Sequence, residues 1–218
     1  MKRRVGLLGG TFNPIHNGHI ELGLQIKEAF NLELIRYILS AKPPHKDNSL
    51  VTNTKIRWNM LECALEDISE LIPCDVEIKR DDFSYTIDTL KKLTDMYPDE
   101  EHYFIIGSDG FLNIETWKDY LTLLKMIPFI VVLRQEQHRI EIINVLDKLS
   151  IKYYKGDLKD IKQEKSREMV FFYSYKSVTL RTSSTMIRNM IENKQDINSF
   201  VNPKIVEIIK GKMLYGSK

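Results

Sequence analysis

Short apolar runs alternate with amphipathic stretches along most of the chain. Near-continuous apolar runs bounded by polar residues are typical of strands buried on both faces, whereas apolar positions that recur every three or four residues are typical of helices. These patterns predict strands at 5–8, 34–39, 75–78, 102–106, 129–133 and 170–173. They predict helices at 19–30, 52–65, 86–97 and 140–149, and a helical region from 184 onward.

This alternation of strands and helices predicts an α/β fold with a doubly wound, Rossmann-like parallel sheet that carries helices on both faces. A small helical C-terminal part is expected from about residue 184. No repeat, low-complexity tract or linker divides the sequence, so residues 1–218 are predicted to form a single domain. In such folds ligands bind at the carboxyl ends of the strands, near the point where the strand order reverses.

Composition narrows the range of partners. The 218 residues include 32 basic and 30 acidic residues, a net charge of +2, which gives no reason to expect nucleic acid or membrane as a partner. Cys63 and Cys74 have no metal or redox spacing, which predicts buried free thiols in a reducing compartment. The apolar run 5–8 behind the charged N-terminus is too short for a signal or membrane segment, so we expect a cytoplasmic protein.

The segment between the first strand and the first helix carries the densest set of special residues. It reads Gly9-Gly10-Thr11-Phe12-Asn13-Pro14-Ile15-His16-Asn17-Gly18-His19. Glycines allow close backbone approach, and a helix start offers free N–H groups to an anion. His16 and His19 at that entrance can donate hydrogen bonds to phosphate oxygens. A tight turn with incidental histidines is one alternative, and a metal pair is another, although no nearby residue provides a third ligand.

This segment is neither a Walker loop nor the dinucleotide fingerprint, because it has neither the required Gly-Lys-Ser/Thr nor the Gly-x-Gly-x-x-Gly spacing. It resembles the His-x-Gly-His signature of the nucleotidyltransferase superfamily, which class I aminoacyl-tRNA synthetases share. The longer string is similar to that of bacterial nicotinate-nucleotide adenylyltransferases. Asn13 stands where those proteins often have Asp.

A second segment, Thr182-Ser183-Ser184-Thr185-Met186-Ile187-Arg188, places hydroxyl residues before an amphipathic helix. Helix capping alone would explain the hydroxyls. The segment also resembles the Ile-Ser-Ser-Thr-x-Ile-Arg motif of the same family, with Thr182 in place of Ile. The resemblance implies that Ser183, Ser184, Thr185 and Arg188 complete a cradle for the β- and γ-phosphates of ATP.

Two further groups gain their meaning from the resemblance. His45 and Lys46 follow two prolines and could be a solvated basic loop, but the resemblance implies that they line the entry for the acceptor's phosphate. The other group resembles the Ser-Tyr-Thr and Gly-x-Asp…Trp motifs, and it comprises Ser84, Tyr85, Thr86, Gly107, Asp109, Trp117 and Lys118. At a strand end, Asp109 could accept hydrogen bonds from ribose hydroxyls. The resemblance implies a pyridine ring stacked on Trp117, which could otherwise be a structural Trp.

The resemblance implies adenylyl transfer from ATP, which arrives with Mg²⁺, to nicotinate mononucleotide in NAD biosynthesis. His19 is expected at the α-phosphate with assistance from His16, Arg188 at the leaving pyrophosphate, and backbone donors from 9–12 at the nucleotide. Lys118 replaces a residue that is often aromatic or His. Alternatives are another transferase of the superfamily, for pantetheine phosphate or with CTP, and a nucleotide sensor without turnover. The sequence leaves a homodimer open. Residues 135–167 carry no usable motif, and the tail after Asn193 is expected to be a surface helix without an assignable role.

Overall fold

Six parallel strands form one sheet in the order β3-β2-β1-β4-β5-β6. The computed structural model describes residues 2–42, 51–79, 83–133, 135–154, 170–175 and 182–217. The strands are β1 Arg3–Gly10, β2 Leu34–Leu39, β3 Leu71–Cys74, β4 Glu100–Gly107, β5 Phe129–Leu133 and β6 Val170–Ser174. The predicted α/β fold with a doubly wound parallel sheet is therefore confirmed.

Helices follow the strands along the chain. They are α1 Asn17–Ala29, α2 Thr54–Leu65, α3 Thr86–Met96, α4 Ser108–Phe111, α5 Tyr120–Met126, α6 Glu136–Lys148, α7 Ser184–Glu192 and α8 Pro203–Gly211. Two single 3₁₀ turns, Ile114–Thr116 and Leu214–Gly216, complete the regular structure that is described. None of the helices within the described ranges is long and apolar enough to cross a bilayer.

The sheet has one hydrophobic core on each face. Alternate residues of a strand point to opposite faces, so that Leu8 contributes to one core and Leu7 to the other. The first core includes buried side chains of α1, α2, α7 and α8, and the second those of α3, α4, α5 and α6. Both faces of the sheet are therefore covered, which explains why the strand sequences are almost continuously apolar.

The strand order reverses between β1 and β4. From β1 the chain builds outward through β2 to β3, and from β4 it builds outward through β5 to β6. β1 and β4 pair with Leu8 beside Ile105, so both strands reach the carboxyl edge of the sheet at Gly10 and Gly107. Beyond these glycines the chain continues to α1 on one face of the sheet and to α4 on the other, and a crevice at such a reversal is the usual ligand site of this type of fold.

The prediction of a strand at 75–78 is wrong. The strand β3 is the preceding Leu71–Cys74, and the amide of Ile78 instead donates to the carbonyl of Asp75 in a turn. Asp75 to Ile78 alternates polar and apolar residues as a strand does, whereas Pro73 argues against a strand. Because β3 is the edge strand next to β2, it tolerates a proline that lacks a ladder donor.

Two other expectations need correction. The part beyond residue 193 was expected to be a surface helix with no assignable role, yet Val201, Ile205 and Ile209 are at most 1% exposed. They belong to the core that covers α1 and α2, so α8 is a packed helix. Cys63 and Cys74 are free thiols, as predicted, but both are half-buried.

Gly23 of α1 provides a test of this packing. A Cβ atom there would lie 2.1 Å from the Tyr37 hydroxyl, which donates to the carbonyl of His19 at 2.8 Å. Gly23→Ala should therefore lower the free energy of unfolding by about 1–3 kcal/mol, because the buried Tyr37 side chain must move. Gly211→Ala is the control, since a Cβ at Gly211 meets no atom within 4 Å. Chemical denaturation of both variants measures the difference, and equal stabilities would contradict the packing argument.

Candidate active site

The loop after β1 is shaped by Gly10 and Phe12. Phe12 has a φ of 46°, in the left-handed region, and its ring is buried at 3% exposure. A Cβ on Gly10 would lie 2.6 Å from that ring, so only glycine fits at this position. The Phe12 ring meets the His19 ring edge to face at 5.2 Å. The buried Phe12 side chain thus packs against the His19 ring and supports it.

His16 and His19 lie against each other at the start of α1. Their ring centroids are 3.7 Å apart, with 32° between the planes. His16 is the residue that precedes the helix, and its backbone N–H donates to Nδ1 of His19 at 3.3 Å. Because Nδ1 of His19 accepts this bond, the proton of the neutral imidazole resides on Nε2. His19 is therefore oriented as a hydrogen-bond donor through Nε2 at a helix N-terminus.

The second predicted segment docks onto the first. Ser183 caps α7 by accepting from the amide of Met186 at 3.1 Å. Ser184 donates its hydroxyl proton to the carbonyl of Pro14 at 2.8 Å. Arg188 donates through Nη1 to the carbonyl of Asn13 at 2.8 Å and through Nη2 to the Thr185 hydroxyl at 3.1 Å. The N-termini of α1 and α7 are thereby joined through residues 13 and 14.

Sequence reasoning missed two residues that hold this junction. The Tyr215 hydroxyl, in the turn after α8, donates to Oδ1 of Asn13 at 2.7 Å, and burial raises the pKa of this tyrosine. Oδ1 of Asn13 also accepts from the amide of Thr52 at 3.3 Å. Asn13 therefore needs only an acceptor oxygen, which Asp would also supply. No local pattern reveals Tyr215, since it lies 202 residues away along the chain.

The other missed residue is Arg57 of α2, which is 1% exposed. Its guanidinium donates five hydrogen bonds of 2.7–3.2 Å to the carbonyls of Thr52, Thr11, Ser40 and Ala41 and to the Thr54 hydroxyl. Burial lowers its pKa to about 10, so that it stays cationic at neutral pH. An arginine on the inward face of an amphipathic helix was a signal that could have been noticed.

Beside this junction, a cavity of about 270 Å³ opens at the carboxyl edges of β1, β2 and β4. Among the predicted residues it brings together Gly9, Gly10, Thr11, Ser84, Tyr85, Thr86, Gly107, Trp117 and Lys118. The walls are mainly apolar, with Ile38, Phe104 and Ile106 among the other lining residues. A mostly apolar cavity with a few polar groups is typical of a small-molecule site.

Several lining residues also have structural partners. Ser84 exchanges two hydrogen bonds of 3.2 Å with the backbone of Lys42. Trp117 packs edge to face on Phe104 at 6.4 Å. Nζ of Lys118 lies 2.8 Å from Oδ2 of Asp88 and 4.8 Å from the centroid of the Tyr85 ring. Lys118 is thus a rim residue that is already paired with a carboxylate.

Asp109 differs from the other predicted residues in its placement. It lies on α4, with a side chain that is 60% exposed, 3.6 Å from Nδ1 of His138 on α6. The same imidazole nitrogen lies 2.9 Å from the Ser108 hydroxyl, which is fully buried. His138 falls in the region for which the sequence offered no role. His45 and Lys46 lie outside the described residues.

One lining residue, Glu77, was hidden by the wrong strand assignment at 75–78. Its side chain is 6% exposed, and Oε1 accepts from the Thr89 hydroxyl at 2.8 Å. Within the described part of the chain, no three His, Cys, Asp or Glu side chains are grouped as metal ligands would be. Among the described residues that line the cavity, the polar groups are backbone donors, hydroxyls, the Lys118 ammonium and the carboxylate of Glu77.

The fold, with two joined helix N-termini beside a cavity, suits a nucleotidyltransferase, and proteins of similar sequence belong to that class. The cytidylyltransferase-like family profile matches residues 7–190. A probable nicotinate-nucleotide adenylyltransferase of Geotalea uraniireducens is 31% identical over 216 residues, which cover 97% of this chain and 98% of that protein. One from Clostridium botulinum is 32% identical over 213 residues, with 98% of each chain covered.

A solved structure agrees at the level of the fold. Plasmodium falciparum nicotinic acid mononucleotide adenylyltransferase, complexed with NaAD, superposes with a TM-score of 0.74 at 20% identity, covering 99% of this chain and 98% of that one. The chain therefore belongs to the cytidylyltransferase-like family and, within it, to the nicotinate-nucleotide adenylyltransferases. The resemblance found in the sequence motifs is confirmed.

Gly107 tests whether the cavity binds a nucleotide. Its backbone has a φ of −69° and a ψ of 149°, which any residue adopts, and a Cβ there meets no atom within 4 Å. The Gly107→Val side chain would project into the cavity, so the melting temperature should change little. Binding of ATP or of the mononucleotide should weaken by about tenfold or more, because the valine side chain occupies space that the ligand needs. Calorimetric titration and thermal unfolding check this, and unimpaired binding of both nucleotides would contradict the assignment of the cavity.

Proposed function

We propose that the protein transfers the adenylyl group of ATP to nicotinate mononucleotide, giving nicotinate adenine dinucleotide and pyrophosphate, for NAD biosynthesis. The observation that carries the proposal is the junction of the α1 and α7 N-termini, beside a cavity at the reversal of strand order. Two helix ends and their side chains suit a polyphosphate, and the cavity suits a flat ring.

In this reaction a phosphate oxygen of the mononucleotide attacks the α-phosphorus of ATP. The bond from that phosphorus to the bridging oxygen breaks, and pyrophosphate leaves with the electron pair. A phosphate monoester is already nucleophilic at neutral pH, so neither a covalent intermediate nor a strong base is needed. Catalysis then depends on positioning and on neutralising the charge of the transition state.

The site residues divide between these tasks. We assign Nε2–H of His19 to the α-phosphoryl oxygens, where charge develops, and His16 to its orientation and to the neighbouring phosphate. Backbone donors of Gly9, Gly10 and Thr11 bind the nucleotide. Arg188 has three donors beyond its two bonds to Asn13 and Thr185, and these are available to the leaving pyrophosphate. Mg²⁺ enters as part of the MgATP substrate, because it prefers phosphate oxygens and water to imidazole and hydroxyl ligands.

The acceptor's ring is assigned to the cavity. Trp117 and Tyr85 offer aromatic faces, and the start of α3 at Thr86 offers backbone donors to the ring's carboxylate. Lys118 contributes from the rim, with its charge partly offset by Asp88. We further propose that Asp109 meets ribose hydroxyls and that His45 and Lys46 meet the acceptor's phosphate.

An adenylyl-transfer assay with a panel of acceptors tests the proposal. Pyrophosphate release with nicotinate mononucleotide, and none with pantetheine phosphate, is the expected result. Nicotinamide mononucleotide should be used roughly 10- to 100-fold less well in kcat/KM, because an amide leaves buried donors unmatched. Transfer to another acceptor, or activity only with CTP, would support another transferase of the superfamily. Nucleotide binding without any turnover would support a sensor.

His19 is the first residue to test. His19→Ala should lower kcat by roughly 10²-fold or more, with a smaller effect on ATP affinity, because the lost donor acts mainly in the transition state. His19→Asn is the matched variant, since its amide oxygen can still accept from the His16 amide while its NH₂ group does not extend to the position of Nε2. Near-normal kcat in His19→Asn would mean that His19 only caps the helix.

Arg188 should recognise the phosphates that AMP lacks. Arg188→Ala should weaken ATP binding by roughly tenfold or more while AMP binding changes much less. Titration calorimetry with both nucleotides measures the two dissociation constants, and thermal unfolding reports the lost hydrogen bond to Asn13. Equal losses for ATP and AMP would show that Arg188 acts through the loop alone.

A further inference from the structure

His138 of α6 takes no part in the reaction described above, although it lies beside the two residues that follow Gly107. Its Nδ1 atom is 2.9 Å from the hydroxyl oxygen of Ser108 and 3.6 Å from Oδ1 of Asp109. Ser108 is fully buried, whereas the side chains of His138 and Asp109 are 16% and 60% exposed. The imidazole therefore links a buried hydroxyl to a carboxylate at the surface.

The two oxygens determine which nitrogen of the imidazole carries the proton. A carboxylate repels a nitrogen lone pair and attracts an N–H group, so Asp109 favours the tautomer with the proton on Nδ1. In that tautomer Ser108 accepts the hydrogen bond at 2.9 Å, and the same N–H group attracts the Asp109 carboxylate. An exposed side chain samples several rotamers, and an attraction to a fixed neighbour reduces that freedom.

This cluster lies on the β5 side of the point at which the strand order reverses. β4 lies between β1 and β5 in the sheet, Asp109 follows β4 directly, and α6, which carries His138, follows β5. None of the three described residues of the cluster lines the cavity that is assigned to the acceptor's ring. Of the two riboses in the reaction, that of the adenosine of ATP therefore fits the Asp109 carboxylate better.

We propose that His138 is a positioning residue for ATP, which holds the Asp109 carboxylate in the orientation that accepts hydrogen bonds from the ribose hydroxyls of the adenosine. This inference rests on the proposed function, in which Asp109 meets ribose hydroxyls. His138 acts through Asp109, because it reduces the conformational freedom that this side chain must lose when ATP binds. Immobilising one side chain in advance is worth about three- to tenfold in affinity.

Dideoxy-ATP, the analogue that lacks both ribose hydroxyls, isolates this contact. It keeps the adenine and the triphosphate but offers Asp109 no hydroxyl group. Wild-type protein should bind ATP about tenfold or more tightly than the analogue, because hydrogen bonds to a charged group are lost. His138→Ala should weaken the binding of ATP by about three- to tenfold and leave that of the analogue nearly unchanged. A merely structural role of His138 would weaken both ligands alike.

Two further variants connect the effect to Asp109. His138→Asn keeps a donor near the position of Nδ1, so it should restore most of the preference for ATP. Asp109→Ala should reduce the preference to about twofold or less, and adding His138→Ala to it should cause no further loss of ATP affinity. Titration calorimetry with ATP and with dideoxy-ATP measures these dissociation constants.

His138→Ala leaves the buried Ser108 hydroxyl without this hydrogen bond, so thermal unfolding must show that the variant is folded. If it is not, the double variant Ser108→Ala/His138→Leu takes its place. It removes both polar groups together and keeps most of the volume, which costs less stability than leaving one polar group unpaired.

The inference is overturned if the variant without the imidazole keeps the wild-type preference for ATP, if it weakens both ligands equally, or if its effect persists in Asp109→Ala. It is also overturned if wild type binds ATP and dideoxy-ATP alike. The transfer assay with wild type decides the proposed function separately. A preference that depends on His138 and Asp109 in a protein without transfer activity would leave this inference standing and remove the proposed reaction. Transfer without the preference would do the reverse.

Discussion

The buried guanidinium of Arg57 is the interaction on which the site depends. All five of its donors are used: four bind carbonyls just after β1, just after β2 and just before α2, and the fifth binds the Thr54 hydroxyl. Backbone carbonyls just beyond the ends of the strands no longer accept hydrogen bonds from a neighbouring strand, so they need other donors. An additional strand cannot supply these donors where the site must stay open to a ligand. One planar cation solves this, at the cost of its own desolvation, which its lowered pKa records.

The loop after β1, which Arg57 fixes, then positions the other groups of the site. Thr11 is held by Arg57, while Asn13 and Pro14 accept from Arg188 and Ser184 of α7. His16 and His19 follow at the start of α1. The groups that we propose to face the phosphates are thus positioned by hydrogen bonds to backbone carbonyls, and these bonds do not depend on which side chains surround them.

Much of this was predictable, because the signals are local. Continuous apolar runs predict five of the six strands, and a hydrogen bond from Ser184 to Pro14 joins the Ser-Ser-Thr segment to the glycine–histidine segment. The misses are non-local. The sequence predicts a strand at 75–78, whereas the edge strand is the preceding segment that contains Pro73. Because Glu77 lies in the turn, the sequence did not indicate it as a cavity residue. The pairing of Lys118 with Asp88 depends on how α3 packs against the residues after α4, and no spacing in the sequence encodes that.

The hydrogen bond from Tyr215 to Asn13 has a consequence for synthesis. It joins residues 202 positions apart, so the loop after β1 leaves the ribosome long before its last support exists. At translation rates of roughly 5–20 residues per second, that delay is on the order of 10–40 s. During this time β1 can already pair, but the segment bearing the two histidines cannot yet be held from the C-terminal side. The nascent chain should therefore acquire its sheet first and its nucleotide affinity only after Tyr215 has emerged.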